Sequence, residues 1–357
     1  MADLCPYALV ALVLSIQADR HIITFSGCAD ASAAALLADG LIAVAEDEDN
    51  VIRLYKLDGG PPVASLDLSS FLMVDPKFPE VDIEGAARVG NRVYWISSHG
   101  RNKDGKLRPS RYRFFATDIE GDGGQVRLRP VGRPYTRLLT RILAAKEFSG
   151  LGLQQAAGAD LMDQALRESD RKRLAPKDEG INIEGICGCP DGRMYVGFRN
   201  PIPKGKALVI PILNPEPILL QGEDPVFDRP ILLDLARMGI RDLCYVQQAD
   251  LYYIVAGPAD ETKGSVLYRW SGRASDRPRK VMDLQSVLAD WTAESIIPLG
   301  PDKAIVLSDD GSRLVKVDGP QDCKEGQYLP EGLCPNKALL DPARRTFRGI
   351  LLATRDL

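Results

Sequence analysis

The sequence lacks the features that mark several common protein classes. Histidine occurs only twice in 357 residues, as His21 and His99, so a zinc site built from cysteine and histidine is not expected. No apolar run approaches the roughly 18 residues of a membrane-spanning helix. The net charge of −4 lacks the basic excess of a nucleic-acid-binding protein. We therefore expect neither a membrane nor a nucleic acid as a partner.

Short catalytic and export signals are missing as well. The chain contains no G-x-S-x-G elbow, no P-loop and no H-E-x-x-H sequence. Residues 7–16 are apolar enough for the core of a signal peptide, but the segment before them carries Asp3 and no Lys or Arg. This pattern favours an ordinary buried strand and a cytoplasmic protein, with a periplasmic or secreted location as the alternative.

The cysteines do not form a regular framework. They number seven, and an odd count without regular spacing argues against a disulfide scaffold. Cys187 and Cys189 are too close for an ordinary bridge and are expected to be small apolar residues of a strand. Cys323 and Cys334 flank a loop that contains Gly and Pro, and they are the pair that we would test for a disulfide.

What the sequence does contain is a repeat. An acidic turn leads into an apolar strand, a tight turn and a second apolar strand. The clearest copies start with Asp82-Ile83-Glu84-Gly85 and Asn182-Ile183-Glu184-Gly185. Further copies begin near residues 239 and 292, and a degenerate copy begins near residue 32. A second marker, Leu/Met-Asp-Leu at residues 66–68, 233–235 and 282–284, closes units in the same phase. Recurring units of this size indicate blades in a stack or a ring.

The repeats predict an all-β fold, a β-propeller of five or six four-stranded blades in one domain over residues 1–357. The predicted blades cover residues 32–68, 82–131, 182–235, 240–284 and 293–317, and a helical insertion is predicted at about 135–177. A final strand at 345–353 is expected to pair near the N-terminal strand and close the ring, and both termini together are the material for a sixth blade. Aromatic residues of the strands are expected to pack between blades.

The same position in each repeat should recur around the axis of the propeller, because the innermost strand of every blade lines the channel. One such position holds Glu84, Glu184, Asp242 and Glu294. A second position, at the end of the following strand, holds Glu46, His99, Arg199 and Asp309. Together they predict a mouth that carries charges of both signs.

Ligand-binding and metal-binding residues follow from the charges of this mouth. Arginine binds phosphate or carboxylate through paired hydrogen bonds, and oxygen ligands suit Ca²⁺ or Mg²⁺. The predicted ligand-binding residues are Arg101, Arg111, Arg199, Arg241, Asp242 and Glu294. The predicted metal ligands are Glu46, Asp47 and Asp309.

Catalytic residues are predicted at His99, Glu84 and Glu184. Histidine titrates near neutral pH and serves as a general acid or base, and His99 lies in a long polar loop, residues 98–110. For the acidic ring there is a structural alternative. A carboxylate at the same turn of each repeat can accept hydrogen bonds from backbone N–H groups of the neighbouring blade, and it then acts as a latch.

The two Glu-Gly motifs, the basic stretch 98–105 and Ser110-Arg111-Tyr112-Arg113 resemble a bacterial β-propeller family known as a domain of unknown function, over about residues 30–352. The Glu-Gly step is also similar to that of phytase-like and esterase-like β-propellers. This wider resemblance implies a polar central funnel and, in some members, bound calcium and phosphate-ester hydrolysis. The chain departs from a calcium phytase in lacking clear runs of clustered Asp ligands.

Two functional hypotheses follow. The first is a ligand-binding or hydrolase-like propeller that takes an anionic small molecule in its mouth, with Ca²⁺ or Mg²⁺ as candidate cofactor; as an enzyme it would be an esterase-like or phosphatase-like hydrolase. The second is a non-catalytic scaffold whose rim loops and helical insertion bind a protein partner. Convergence of His99, Arg101, Arg111 and Arg199 near carboxylates favours the first, and their scatter over the outer rim favours the second.

Overall fold

A ring of five four-stranded antiparallel sheets makes up the part of the chain that the computed structural model describes. The described residues are 22–37, 40–121, 126–158, 166–177, 179–260, 262, 264–288 and 291–354. The innermost strands contact one another in sequence around the ring, and the last contacts the first. The fold is therefore the predicted β-propeller, with five blades. The prediction of one domain over residues 1–357 reaches beyond the described residues and stays a prediction.

The strands follow one another from the axis outward in the first four blades. Strand β1 (Ile22–Ser26) comes first in the chain but belongs to the fifth blade. Blade one contains β2 (Ala33–Leu36), β3 (Leu41–Ala45), β4 (Val51–Lys56) and β5 (Ala64–Asp67). Blade two contains β6 (Ile83–Val89), β7 (Arg92–Ser97), β8 (Phe114–Glu120) and β9 (Arg127–Tyr135). Blade three contains β10 (Asn182–Gly188), β11 (Met194–Asn200), β12 (Ala207–Ile212) and β13 (Ile231–Leu233). Blade four contains β14 (Gly239–Val246), β15 (Leu251–Gly257), β16 (Val266–Trp270) and β17 (Arg279–Asp283).

The fifth blade is assembled from both ends of the described chain. Its order is β18 (Thr292–Gly300), β19 (Lys303–Asp309), β22 (Thr346–Ala353) and β1, so Ile22 pairs with Ile350. The predicted closure by the two terminal strands is confirmed. The predicted extent of this blade, residues 293–317, is wrong in its third strand. Residues 314–316 form β20 (Leu314–Lys316), which pairs with β21 (Leu333–Pro335) in a separate small sheet.

Apolar side chains between neighbouring blades form the core. Along the inner strand β6 burial alternates, since Ile83, Gly85 and Ala87 are buried and the residues between them are more exposed. At the junction of blades five and one, the rings of Phe25 and Phe347 stack with centroids 4.7 Å apart. The predicted packing of strand aromatics between blades is confirmed by their burial.

The Leu/Met-Asp-Leu marker has a simple physical basis. In each copy the aspartate carboxylate accepts the backbone N–H two residues later, which ends the outer strand in a turn. The second leucine of each copy, Leu68, Leu235 or Leu284, is fully buried. Short helices follow the first and third copies, α1 (Ser69–Leu72) and α6 (Gln285–Leu288).

The predicted helical insertion between blades two and three is present. It contains α2 (Leu138–Ala144), α3 (Leu153–Ala157) and α4 (Glu168–Lys172), and α5 (Pro215–Leu220) lies in blade three. Part of the predicted insertion, residues 159–165, lies outside the described residues. Leu138, Ile142 and Leu153 pack into the apolar cluster shared by blades two and three. In the described residues, no helix is long and apolar enough to cross a membrane.

A long excursion separates the second and third strands of blade five. It contains the β20–β21 hairpin, and Cys323 is disulfide-bonded to Cys334 within it, with Cα atoms 6.2 Å apart. Asn336 anchors the excursion by donating to the carbonyls of Asp310 and Thr346. The next residue, Lys337, thereby comes to lie at the channel.

Candidate functional site

A cavity of about 1310 Å³ opens on the axis, at the end of the channel where the inner strands begin. We call it the mouth. Ten acidic and seven basic side chains line it. The acidic ones are Asp30, Asp47, Glu48, Glu80, Asp82, Glu84, Glu184, Asp260, Glu294 and Asp309. The basic ones are Lys103, Arg111, Lys172, Lys177, Arg199, Arg241 and Lys337.

Four inner strands direct one charged residue each into the mouth through a β-bulge. The pairing register shifts by one residue at Glu84, Glu184, Arg241 and Glu294, so each of these residues is left without a partner in the ladder. All four line the mouth. The predicted ring of equivalent residues is therefore correct in three blades and wrong in blade four, where the position belongs to Arg241 and not to Asp242.

Asp242 acts as the latch that the structural alternative described. Its Oδ1 accepts the N–H of Leu243 and its Oδ2 accepts the N–H of Ile296 on β18, both at 2.7 Å. It faces a second cavity of about 440 Å³ at the far end of the channel. Burial raises the pKa of Asp242 to about 7.

The three arginines of the mouth are already bound to protein groups. Arg199 donates to Glu184 Oε1 at 2.8 Å and to the carbonyls of Pro258 and Asp260. Arg241 donates to Glu294 Oε1, and its Nη1 lies 3.9 Å from Glu184 Oε2.

Arg111 is engaged in the same way. It contacts Glu80 Oε1 and lies 2.8 Å from Asp82 Oδ2. Because all three guanidinium groups have carboxylate partners, none of them is available to bind an anion through paired hydrogen bonds.

Carboxylates remain in excess inside the mouth. Burial raises the pKa of Glu84 well above its usual range, and repulsion from Asp82, Glu184 and Asp47 adds to the shift. Burial and the charge of Asp82 do the same to the pKa of Asp47. Glu84 makes no hydrogen bond or ion pair to another described residue. The interior of the mouth is therefore short of positive charge.

Asp30 and Asp309 form a carboxyl pair at the blade-five side of the mouth. The two residues are joined by an isolated β-bridge and share a side-chain hydrogen bond. Burial raises the pKa of Asp30 well above its usual range. Burial acts to raise the pKa of Asp309 as well, but the hydrogen bonds from Asp30 and from the N–H of Gly311, the latter at 2.9 Å, outweigh it and hold this pKa low.

Three oxygen acceptors of described residues at the mouth are buried without a hydrogen-bond donor. They are Asp47 Oδ1, Asn182 Oδ1 and Glu184 Oε2, and Asn182 and Glu184 are only 3% exposed. Asn182 Nδ2 donates to the other oxygen of Glu184 at 2.7 Å. Unpaired acceptors at this depth are rare and require an explanation.

Besides Asp242, three predicted site residues lie outside the mouth. His99 is fully buried, its Nδ1 lies 2.8 Å from the carbonyl of Ser97, and burial lowers its pKa to about 4. Arg101 is 5% exposed and donates to the carbonyls of Gly105 and Ala157, so it joins the 98–110 loop to α3.

Glu46 is the last of the predicted residues that lie outside the mouth. Its Oε2 accepts the N–H of Ala29, and its Oε1 lies 4.0 Å from Arg53. The predicted metal set is thus divided, since Asp47 and Asp309 line the mouth and Glu46 does not. In the described part of the chain, no group of three or more His, Cys, Asp or Glu side chains is arranged to hold a metal ion by itself.

The rim over blades two and three is basic. Lys103 from the 98–110 loop and Lys172 and Lys177 from the insertion line the mouth, and all three are exposed. The loop and the insertion pack tightly, because a side chain at Gly105 (φ 71°) would meet the carbonyl of Arg171. The mouth thus combines a basic rim with an acidic interior.

Sequence reasoning missed several lining residues, although a signal for two of them was present. Asp82 and Asn182 occupy the same place in the repeated motif, two residues before its glutamate. Both are buried at the mouth. Asp30 and Lys337 lie outside the repeats, so no repeat position could reveal them.

Comparison with known proteins identifies a family and similar folds. The family described as "Protein of unknown function (DUF3616)" matches residues 124–304. The glutaminyl cyclase of Myxococcus xanthus is 13% identical with a TM-score of 0.42, over 81% of this chain and 91% of that one. The PQQ-bound aldose sugar dehydrogenase of Streptomyces coelicolor is 12% identical with a TM-score of 0.40, over 94% and 99%. A putative glucose dehydrogenase of Thermus thermophilus is 14% identical with a TM-score of 0.40, over 93% and 100%. No curated protein matches the chain.

Proposed function

This chain belongs to the family described as protein of unknown function DUF3616, and from the geometry of its mouth we propose that it binds an anionic small molecule together with a divalent cation. The class of ligand is a phosphate or carboxylate ester. The cation is Ca²⁺ or Mg²⁺. The observation that carries the proposal is the separation of charge, with exposed lysines at the rim and unneutralised carboxylates inside.

The charge layout determines how an anion can be held. The mouth's arginines are bound to carboxylates, so a bare anion would meet the excess negative charge of residues such as Glu84 and Asp47. A divalent cation neutralises that charge and brings its own affinity for phosphate or carboxylate oxygens. Mg²⁺ in particular is commonly held by one or two carboxylates together with the phosphates of a substrate.

Two of the four diagnostic residues support a small-molecule ligand over a protein scaffold. Arg111 and Arg199 lie in the mouth beside carboxylates. His99 and Arg101 are buried and do not lie on the outer rim. A basic rim around a concave acidic pocket suits a compact charged ligand.

The proposal is tested by titrating para-nitrophenyl phosphate into the protein in calcium buffer and in EDTA. Binding is expected with Ca²⁺ and is expected to be lost in EDTA. Replacing Lys103, Lys172 and Lys177 together by Gln is expected to weaken binding about 10-fold or more, because rim charges attract the anion at short range.

A matched control removes three exposed lysines elsewhere on the ring, at Lys206, Lys280 and Lys303. This variant loses the same net charge and is expected to bind as the wild type does. Equal weakening by both triple variants, or the absence of binding in calcium buffer, would refute the proposal.

Hydrolysis of the bound ester is a second candidate function, and the pair Asp30–Asp309 favours it. One carboxyl that holds a proton beside one that is ionised can protonate a leaving group and activate water, respectively. We expect turnover of para-nitrophenyl phosphate or acetate that Asp309→Asn lowers about 100-fold. Asp228→Asn, a surface change beside Arg193, serves as the control and should leave the rate unchanged. No turnover of either ester by the wild type would remove this candidate.

A further inference from the structure

Two of the three unpartnered oxygens of the mouth, Asn182 Oδ1 and Glu184 Oε2, belong to residues two positions apart on one strand. Asn182 and Glu184 begin β10, and a bond of 2.7 Å joins Asn182 Nδ2 to Glu184 Oε1. Arg199 Nη1 donates to that same oxygen at 2.8 Å. Oε1 therefore has two donors, whereas Oε2 has none, since the nearest cation, Arg241 Nη1, stands 3.9 Å away.

The orientation of Asn182 is fixed by this arrangement. Rotating its amide by half a turn would place Oδ1 against the carboxylate of Glu184, and two acceptors repel each other. The amide nitrogen must therefore face Glu184, which leaves Oδ1 without a donor. Both acceptors are held in place before any ligand arrives.

A third acceptor stands on the neighbouring blade. Glu84 occupies the same bulge position of β6 as Glu184 does of β10, and these two inner strands pack against each other at the axis. Glu84 has no hydrogen-bond or ion-pair partner among the described residues. Three oxygen-bearing side chains thus face the mouth with unused lone pairs.

We propose that Glu84, Asn182 and Glu184 form the seat of a hard divalent cation, Ca²⁺ in the first place, between blades two and three. Carboxylate and amide oxygens are the ligands that Ca²⁺ takes, and a partial protein set leaves positions for water and for ligand oxygens. The seat deepens the proposed function and rests on it in one respect, since its cation would hold the anionic ligand.

The test is a calorimetric titration of CaCl₂ into EDTA-stripped, dialysed protein without any other ligand. Wild type is expected to bind with a stoichiometry of about one at this seat. Glu84→Gln keeps the size of the side chain and disturbs no bond to a described residue. We expect it to weaken calcium binding about 10- to 100-fold, because changes even to residues behind a metal ligand cost that much.

The control is Glu216→Gln, which removes a carboxylate outside the mouth, where it is paired with Arg92. It is expected to change calcium affinity by less than about threefold, because a charge beyond the contact distance is screened. Asn182→Ala provides a second probe and should weaken calcium without changing the formal charge. Equal affinities for wild type and Glu84→Gln, or no calcium binding by the wild type, would overturn the seat.

The proposed function and the proposed cation seat can be refuted independently. Calcium binding that Glu84→Gln weakens, in a protein that takes no para-nitrophenyl phosphate, would support the seat and overturn the proposed ligand. Ester binding without measurable binding of Ca²⁺ or Mg²⁺ would support a binding mouth and overturn the seat.

Discussion

Arg241 is the residue whose removal should most disturb the mouth. Its side chain is 7% exposed and lies between Glu294, which it contacts, and Glu184. In the variant Arg241→Met, Glu294 loses the one cation it contacts among the described residues, whereas Glu184 keeps Arg199. Removing one partner of a buried ion pair costs about 3–5 kcal/mol, because the other charge stays buried without compensation. We expect a loss of that size in urea unfolding at pH 8 in EDTA.

Two companion variants isolate the cause. Arg193→Met breaks a surface ion pair with Asp191 and Asp228 and should cost no more than about 1 kcal/mol. Adding Glu294→Met to Arg241→Met removes the stranded charge and should recover most of the loss, as replacing both members of a buried pair often does.

The pH dependence follows from the same charge. Burial raises the pKa of Glu294, and Arg241 opposes that shift. Without Arg241 the pKa rises further, so the protonated and neutral form is reached at higher pH. The cost of Arg241→Met should therefore shrink as the pH falls from 8 to 5. A loss no larger than that of Arg193→Met, or a double variant no more stable than the single one, would refute this reasoning.

Three further predictions concern residues away from the seat. Wild type should lose stability as the pH falls from 6.5 toward 4, because the imidazole of the unfolded chain is protonated in this range whereas the buried imidazole of His99 is protonated only at about pH 4. His99→Gln should remove this loss. Urea midpoints of the two proteins that run parallel over this range would contradict the prediction. Asp242→Ala should lower the free energy of unfolding by about 1–3 kcal/mol, because it leaves the N–H groups of Leu243 and Ile296 unpaired, and a neutral result would argue against the latch. Replacing Cys323 and Cys334 by Ala should cost about 3 kcal/mol, given the separation of 11 residues, and the variant should no longer respond to reductant.

The sequence revealed the blades because apolar strands and acidic turns recur in phase along the chain. The closing strand was also predictable, since an open ring would leave edges that can pair. The position of the mouth followed from the repeated acidic turn, and Glu84, Glu184 and Glu294 do lie in it.

The register of strand pairing could not be predicted from the hydrophobic pattern of the sequence. A bulge inserts one residue without changing the hydrophobic pattern, and in blade four two charged residues, Arg241 and Asp242, follow Ile240. Both fit the motif, and only the pairing with β15 decides which one faces the mouth. His99 was misplaced for another reason. A long polar loop suggested exposure, but the insertion packs against that loop and the ring of His99 is covered.

Prediction from the sequence failed for a similar reason in the third strand of blade five. Leu314-Val315-Lys316 has the composition of a strand and lies where a third strand was expected. Its partner is Leu333–Pro335, and β19 pairs with residues 346–353 instead. Local sequence indicates that a segment will be a strand, whereas the choice among distant partners depends on the whole ring.

The ring is closed by β1 and β22, which lie far apart in the chain, so different parts of the mouth should form at different stages of folding. Pairing Ile22 with Ile350 joins positions roughly 300 residues apart, and contacts of such long range form slowly. The Asp30–Asp309 pair lies between blades one and five and likewise joins residues that are far apart in the chain. The oxygens of Glu84, Asn182 and Glu184 need only two blades that are consecutive in the chain. A nascent chain that has released blade three would thus already hold its cation seat, while the acid–base pair would await β19 of blade five.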